Sequence, residues 1–188
     1  MDVLEFLYDY FEDRTHAAAL IRQRRPFALG VLGTLAGGAG LFTIFGGGLF
    51  FLPSSWPSLL LLLLIQTSFV FLLTAVLHQL LDMTGARGDA GALFVHLGLS
   101  ELAWLAAVPA ILIARALAPH SDWLVALAFG AVGIGSLALK ARGLRDEYGV
   151  GEGRAWLTLG LPYLLTAALG ALGMTLAVTA LLVKAFSS

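Results

Sequence analysis

The residue with the strongest claim on chemistry is Glu101, a carboxylate set in the apolar run from Leu93 to Leu117. It falls roughly 12 Å into that run at ~1.5 Å per helical residue. On insertion scales a charge at that depth costs about 2.5–3.5 kcal/mol. Glu101 is therefore expected to face other helices, to find a partner or to carry a proton. Ser100 precedes it, and Gln66, Thr67 and Ser68 offer hydrogen-bonding groups in the apolar run before. The functional reading is a proton-linked or substrate-contacting group in a polar cavity. The plainer reading is a structural hydrogen bond between helices.

Other constellations carry less. His78 and Asp82 stand four residues apart on one helical face, and His96 begins the facing end of the next run. A His–Asp–His metal site is conceivable from those types, but no HExxH or paired-ligand spacing supports it. Ordinary interfacial hydrogen bonds are the expected role of His78 and His96. Gly85, Gly88 and Gly91 form a GxxGxxG run. It follows an apolar helix, not a strand, and no Gly-Lys-Ser or Gly-Lys-Thr closes it, so a phosphate-binding loop is rejected. The chain has no cysteine, which excludes thiol catalysis and thiolate metal sites. No Ser-His-Asp order, catalytic carboxylate pair or cofactor motif is found. The expectation is a protein that is not an enzyme and uses no cofactor or metal.

The elements that hold these residues follow from composition. Hydrophobic residues are 59% of the 188, beside 22 glycines, and charged residues only 12%. A water-soluble fold of this size has too little interior for so much apolar surface. Lipid solves the problem by solvating the outer faces of helices. The net charge of −1 gives no basis for nucleic-acid binding. The first thirteen residues hold Asp2, Glu5, Asp9, Glu12 and Asp13, where a secretory signal would be basic.

A crossing needs about 20 apolar residues. The stretch between Arg25 and Asp82 has no formal charge over 56 residues, 26 through 81. That is too long for one crossing, and Pro53-Ser54-Ser55-Trp56-Pro57 divides it with turn chemistry and an interfacial Trp. Five spans are thus predicted, at 27–52, 57–81, 93–117, 123–139 and 155–183, within a single membrane bundle of residues 27–186. Polar loops at 82–92 and 141–153 and a tight Pro119-His120-Ser121-Asp122 turn connect them.

Lys and Arg set the orientation. Five spans put Arg14, Arg22, Arg24, Arg25, Arg87, Lys140, Arg142, Arg145 and Arg154 on one side, against Arg115 and Lys184 on the other. The N-terminus and both polar loops are expected in the cytoplasm and the C-terminus outside. Residues 1–26 read as a cytosolic amphipathic helix and basic anchor. Leu4, Leu7, Tyr8 and Phe11 recur at helical spacing, with Asp2, Glu5, Asp9 and Glu12 opposite. Arg22, Arg24, Arg25, Arg87, Arg142, Arg145 and Arg154 are the candidate contacts to acidic lipid headgroups or to a protein partner at the cytoplasmic face. Eight glycines in span one, with Gly33 and Gly37 at GxxxG spacing, and more in spans four and five allow close helix packing. Such packing serves either the bundle itself or a homo-oligomer.

Three segments together resemble the Yip family of Ypt/Rab-interacting membrane proteins, in its short prokaryotic form. They are DYFEDRTHAAALIRQRRPFALGVL (9–32), LHQLLDMTGARGDAGALFVHLGLSELAWL (77–105) and LKARGLRDEYGVGEGRAWLTLGLPYLL (139–165). The first is similar to the family's pre-membrane helix, basic stretch and span one. The second is similar to its histidine, short helix, glycine-rich turn and third span. The third is similar to its basic loop and last span, which opens on Arg-Ala and contains a proline. The resemblance implies five spans with a cytosolic N-terminus, in a prokaryotic plasma or inner membrane. It associates eukaryotic relatives with vesicle trafficking, membrane shaping and GTPase recruitment. The expected function is a non-enzymatic scaffold that organises membrane lipid or a protein partner. The alternative is a lipid scramblase or small-solute or proton-linked transporter that uses Glu101.

Overall fold

The computed structural model describes residues 6, 8, 10, 12, 14–44, 55–119 and 121–187. Among them the chain is helical and holds no strand. The helices are α1 (Arg14–Arg24), α2 (Phe27–Ile44), α3 (Trp56–Met83), α4 (Ala90–Ser100), α5 (Ala103–Leu117), α6 (Asp122–Tyr148) and α7 (Glu152–Ser187). Counting α4 and α5 as one broken rod, five are long and apolar enough to cross a membrane. Their outer faces carry large exposed side chains such as Leu64, Phe71, Leu112, Leu127 and Leu164. Hydrocarbon makes such a surface favourable. Gly46, Gly47, Gly48, Pro53 and His120 lie outside the described residues.

The broken rod is the centre of the bundle. α4 is buried from Ala92 to Ser100 and touches α2, α3 and α6, while α5 packs on α2 and α6. At the break, the Glu101 and Leu102 amides bond Gly98 and Leu99 three residues back, at 3.1 Å each. The tighter turn leaves carbonyls without their usual amide partners four residues on. Hydroxyls answer two of them: Ser100 Oγ donates to Leu97, and Ser136 Oγ of α6 donates to the Ser100 carbonyl at 3.3 Å.

Span one reaches this rod through glycine. A Cβ on Gly33 or Gly37 would strike the carbonyls of Gly98 or Glu101, and one on Gly98 would strike the Gly30 backbone. The GxxxG spacing of span one therefore serves packing within the chain. The glycines of spans four and five differ. Among the described residues a Cβ at Gly130, Gly135, Gly160, Gly170 or Gly173 would meet nothing within 4 Å, and one at Gly133 would meet only the Trp104 ring at 3.5 Å.

The chain departs from the sequence expectation at the end of α6 and on the apolar face of the N-terminal segment. α6 does not stop at Leu139 but runs to Tyr148, so most of the expected loop at 141–153 is helix. Ala141, Leu144 and Tyr148 keep a helical apolar period while Arg142 and Arg145 face out. Gly149 then ends α6 in the left-handed conformation (φ 63°), its amide bonding the Arg145 carbonyl at 2.9 Å. Finally, the apolar face of the N-terminal segment is Phe6, Tyr10, Ala17 and Ile21, packed on Ala92, Val95 and Leu99 of α4. Tyr8, assigned to that face from sequence, is 65% exposed. Leu4, Leu7 and Phe11 lie outside the described residues.

Close packing at the crossing of α2 and α4 is testable. Gly98→Leu is expected to destabilise the detergent-solubilised protein by about 1–3 kcal/mol or more, the usual cost of overpacking. Gly170→Ala, in open space, is expected to stay within about 0.5 kcal/mol of the parent. Thermal unfolding of both variants is the measurement.

Candidate functional site

Glu101 is buried, with 6% of its surface exposed, and its partner is Lys140 of α6, 4% exposed. Lys140 Nζ stands 2.7 Å from Glu101 Oε1 and donates to Ser136 Oγ at 2.7 Å. Gln66 of α3 donates through Nε2 to Glu101 Oε2 at 3.1 Å. The amide can point only one way, because its oxygen would be repelled by the carboxylate. Among the described residues Gln66 Oε1 is thereby left buried and without a hydrogen-bond partner, close against Gly38. Three spans thus converge on one carboxylate.

The sequence expectation ends span four at Leu139 and counts Lys140, just beyond it, with the arginines of one membrane side. Lys140 belongs inside the bundle, as the counter-charge of Glu101. The signal was present: Ser136, Lys140 and Leu144 recur every four residues and Ala141 extends the buried face. A span cut at its first charged residue hides that period. Of the other expected neighbours, Ser100 bonds its own turn, Thr67 bonds the Leu63 carbonyl within α3, and Ser68 is exposed.

This cluster lines an open cavity of about 440 Å³ together with Leu41, Trp104, Gly133 and Tyr163. Its sides are apolar, so the ion pair is the polar floor of a groove among lipid-facing helices.

The histidines part company. His78 Nδ1 lies 2.6 Å from the Tyr148 hydroxyl. His96 accepts a bond from the Tyr10 hydroxyl at its carbonyl (3.4 Å), and among the described residues its buried Nε2 has no partner. His78, Asp82 and His96 do not converge; among the described residues no three His, Asp or Glu side chains could hold a metal ion.

A second polar cluster closes the end of the bundle that holds α1. Glu147, nearly buried, accepts the Asp89 amide at 2.9 Å and pairs with Arg22 at 3.4 Å. Arg22 also donates to the Glu147 carbonyl at 2.9 Å and the Asp146 carbonyl at 3.2 Å. Asp89 caps α4 by accepting the Ala92 amide at 2.9 Å and pairs with Arg25 at 2.8 Å. Arg154 donates to the Thr84 carbonyl at 3.0 Å and to its hydroxyl, and Arg145 pairs with Asp146 at 3.0 Å. Arg24, Arg87 and Arg142 are exposed. Sequence reasoning named these arginines but missed Glu147, whose partners lie 125 and 58 positions away. The glycine run of this end is structural: Gly85 takes a positive φ of 77°, Gly88 lies under the Tyr148 ring and Gly91 under Phe27.

Comparison of the chain with protein-family models, with curated proteins and with solved structures finds no match. The class is therefore defined by the fold: a helical bundle with the architecture of a multi-pass membrane protein.

The buried pair sets a clear expectation. Glu101→Gln leaves a lone buried ammonium, and Lys140→Met leaves a lone buried carboxylate. Each is expected to cost about 3–5 kcal/mol, whereas the double replacement by apolar residues of similar size recovers most of that loss. A double-mutant cycle on thermal or denaturant unfolding in detergent reads the coupling.

Proposed function

We propose that the protein is a non-enzymatic multi-pass membrane scaffold of the Yip type. In this reading it sits in the cell membrane with its N-terminus and the Glu147 end in the cytoplasm and its C-terminus outside. The single observation that supports it best is the construction of that end. Arg22, Arg25, Asp89 and Glu147 tie the N-terminal helix, the glycine-rich turn before α4 and the end of α6 into one surface. The apolar face of the N-terminal segment is already covered by α4, and its exposed side holds Glu12, His16, Gln23 and Arg24 beside Tyr8 and Ala19. Arg24, Arg87 and Arg142 extend from this surface. A rigid face bearing outward arginines suits an acidic protein surface or anionic headgroups, each arginine contributing ~1 kcal/mol near such lipids.

Reversing all three charges (Arg24→Glu, Arg87→Glu, Arg142→Glu) is expected to leave insertion intact. It is expected to cut copurified anionic lipid or protein partner by more than about tenfold. Recovery of the same lipids and proteins from native membranes, in parental amounts, would remove the scaffold reading.

A second reading, lipid scrambling or proton-linked transport along a path lined by Glu101, is favoured by the open groove beside the ion pair. It expects flux in proteoliposomes from the parent and little from the folded Glu101→Gln/Lys140→Met double variant. A parent protein that moves neither lipid nor protons sinks it.

A further inference from the structure

The groove exists because one pair of helices does not meet. α3 and α6 each pack on α4 and on the first part of α7, yet they make no extended contact with each other. The break between α4 and α5 and the start of α5 form the back wall, through Glu101 and Trp104. Tyr163 of α7 lines the groove as well. Beyond it the described residues of α7 from Leu164 to Thr179 are all exposed, so α7 does not cover the opening. The groove is reached sideways, from the hydrocarbon.

Hydrocarbon chains would fill such a space without selection if its lining were apolar throughout. The sides are indeed apolar, through Leu62, Ile65 and Phe69 of α3 and Leu137 of α6. The floor is not. Glu101 and Lys140 neutralise each other there, so the site has no net charge. An anionic headgroup would have to displace Glu101 from Lys140, and a cationic one would have to displace Lys140 from Glu101. An uncharged group disturbs neither.

Tyr163 supplies the recognition element. Its ring rests against Phe69, with centroids 6.3 Å apart, and among the described residues its hydroxyl has no hydrogen-bond partner. A phenol hydroxyl at membrane depth without a partner is costly. A ligand hydroxyl, which both donates and accepts, answers it. The volume of about 440 Å³ falls within the roughly 300–1,000 Å³ of ordinary ligand pockets.

We propose that this lateral groove is a binding site for an uncharged amphiphile with a hydroxyl head, its hydroxyl bonded to Tyr163 and its chain held between α3 and α6. Membrane glycerides and long-chain isoprenoid alcohols share that chemistry. The site does not rest on the arginine-bearing face, and loss of partner recruitment there would leave it untouched.

The test uses the full chain in nanodiscs of zwitterionic lipid, with a photoactivatable diacylglycerol as probe. Labelling is expected on α3, α6 or the Tyr163 segment. Excess dioleoylglycerol or a polyprenol should suppress it, whichever competes better naming the source. Phosphatidic acid and free fatty acid at the same concentration should not. Tyr163→Phe keeps the ring and is expected to weaken capture by roughly fivefold, the loss of one neutral hydrogen bond. Capture of a probe lacking the hydroxyl should not change. Gly133→Phe, which projects into the groove from a position whose Cβ meets only Trp104, is expected to abolish labelling. If that variant does not insert, Tyr163→Phe decides alone. Unchanged capture in Tyr163→Phe, equal competition by phosphatidic acid, or competition by neither neutral lipid overturns the proposal.

Discussion

A carboxylate and an ammonium 2.7 Å apart, inside helices whose outer faces are apolar, constrain almost everything around them. Neither charge can be left to lipid alone. Span three must therefore turn Glu101 toward span four, and span four must remain helical past its apolar stretch to deliver Lys140. Gln66 adds span two to the same point. A buried ion pair is weak evidence for net stability, because desolvation offsets much of the attraction. Its effect here is on choice: any other rotation of these three helices strands a charge. The broken turn at Glu101 belongs to the same arrangement, since Ser136 serves both the freed Ser100 carbonyl and the Lys140 ammonium.

Packing fixes what the ion pair leaves free. Lipid is as apolar as leucine, so helices in a membrane gain little by hiding leucine from it, and close backbone approach decides which faces meet. Gly30, Gly33 and Gly37 set span one directly on the Gly98–Glu101 backbone, where weak Cα–H···O contacts become available. Tight packing around the turn and looseness elsewhere are two sides of one design. α3 and α6, held against the central rod, diverge from each other, and the distal half of α7 lies free of the bundle.

At the opposite extreme of polarity, Glu147 joins parts of the chain that share no sequence neighbourhood. One nearly buried carboxylate receives an arginine from the N-terminal helix and the amide of Asp89. The N-terminal helix is thus docked by apolar contacts from Phe6, Tyr10, Ala17 and Ile21 on one face and tethered by Arg22 at its end. Arg24 is among the groups it offers outward, and it joins Arg87 and Arg142 in the arginine-bearing surface on which the functional reading rests.

Counting the crossings required nothing beyond the linear chain, because each is a local question of transfer between water and hydrocarbon over about twenty residues. Glu101 and Gln66 were legible as polar groups set in apolar helices for the same reason, and the glycine spacing of span one announced a close crossing. Lys140 was misplaced, since a rule that ends a span at its first charge knows nothing of a counter-charge 39 positions earlier (101 to 140). The role of Glu147, the separation of His78 from His96 and the groove between α3 and α6 were likewise out of reach. All of them depend on how helices rotate and lean against one another. That is a non-local outcome of packing and pairing, and no window along the chain contains both partners.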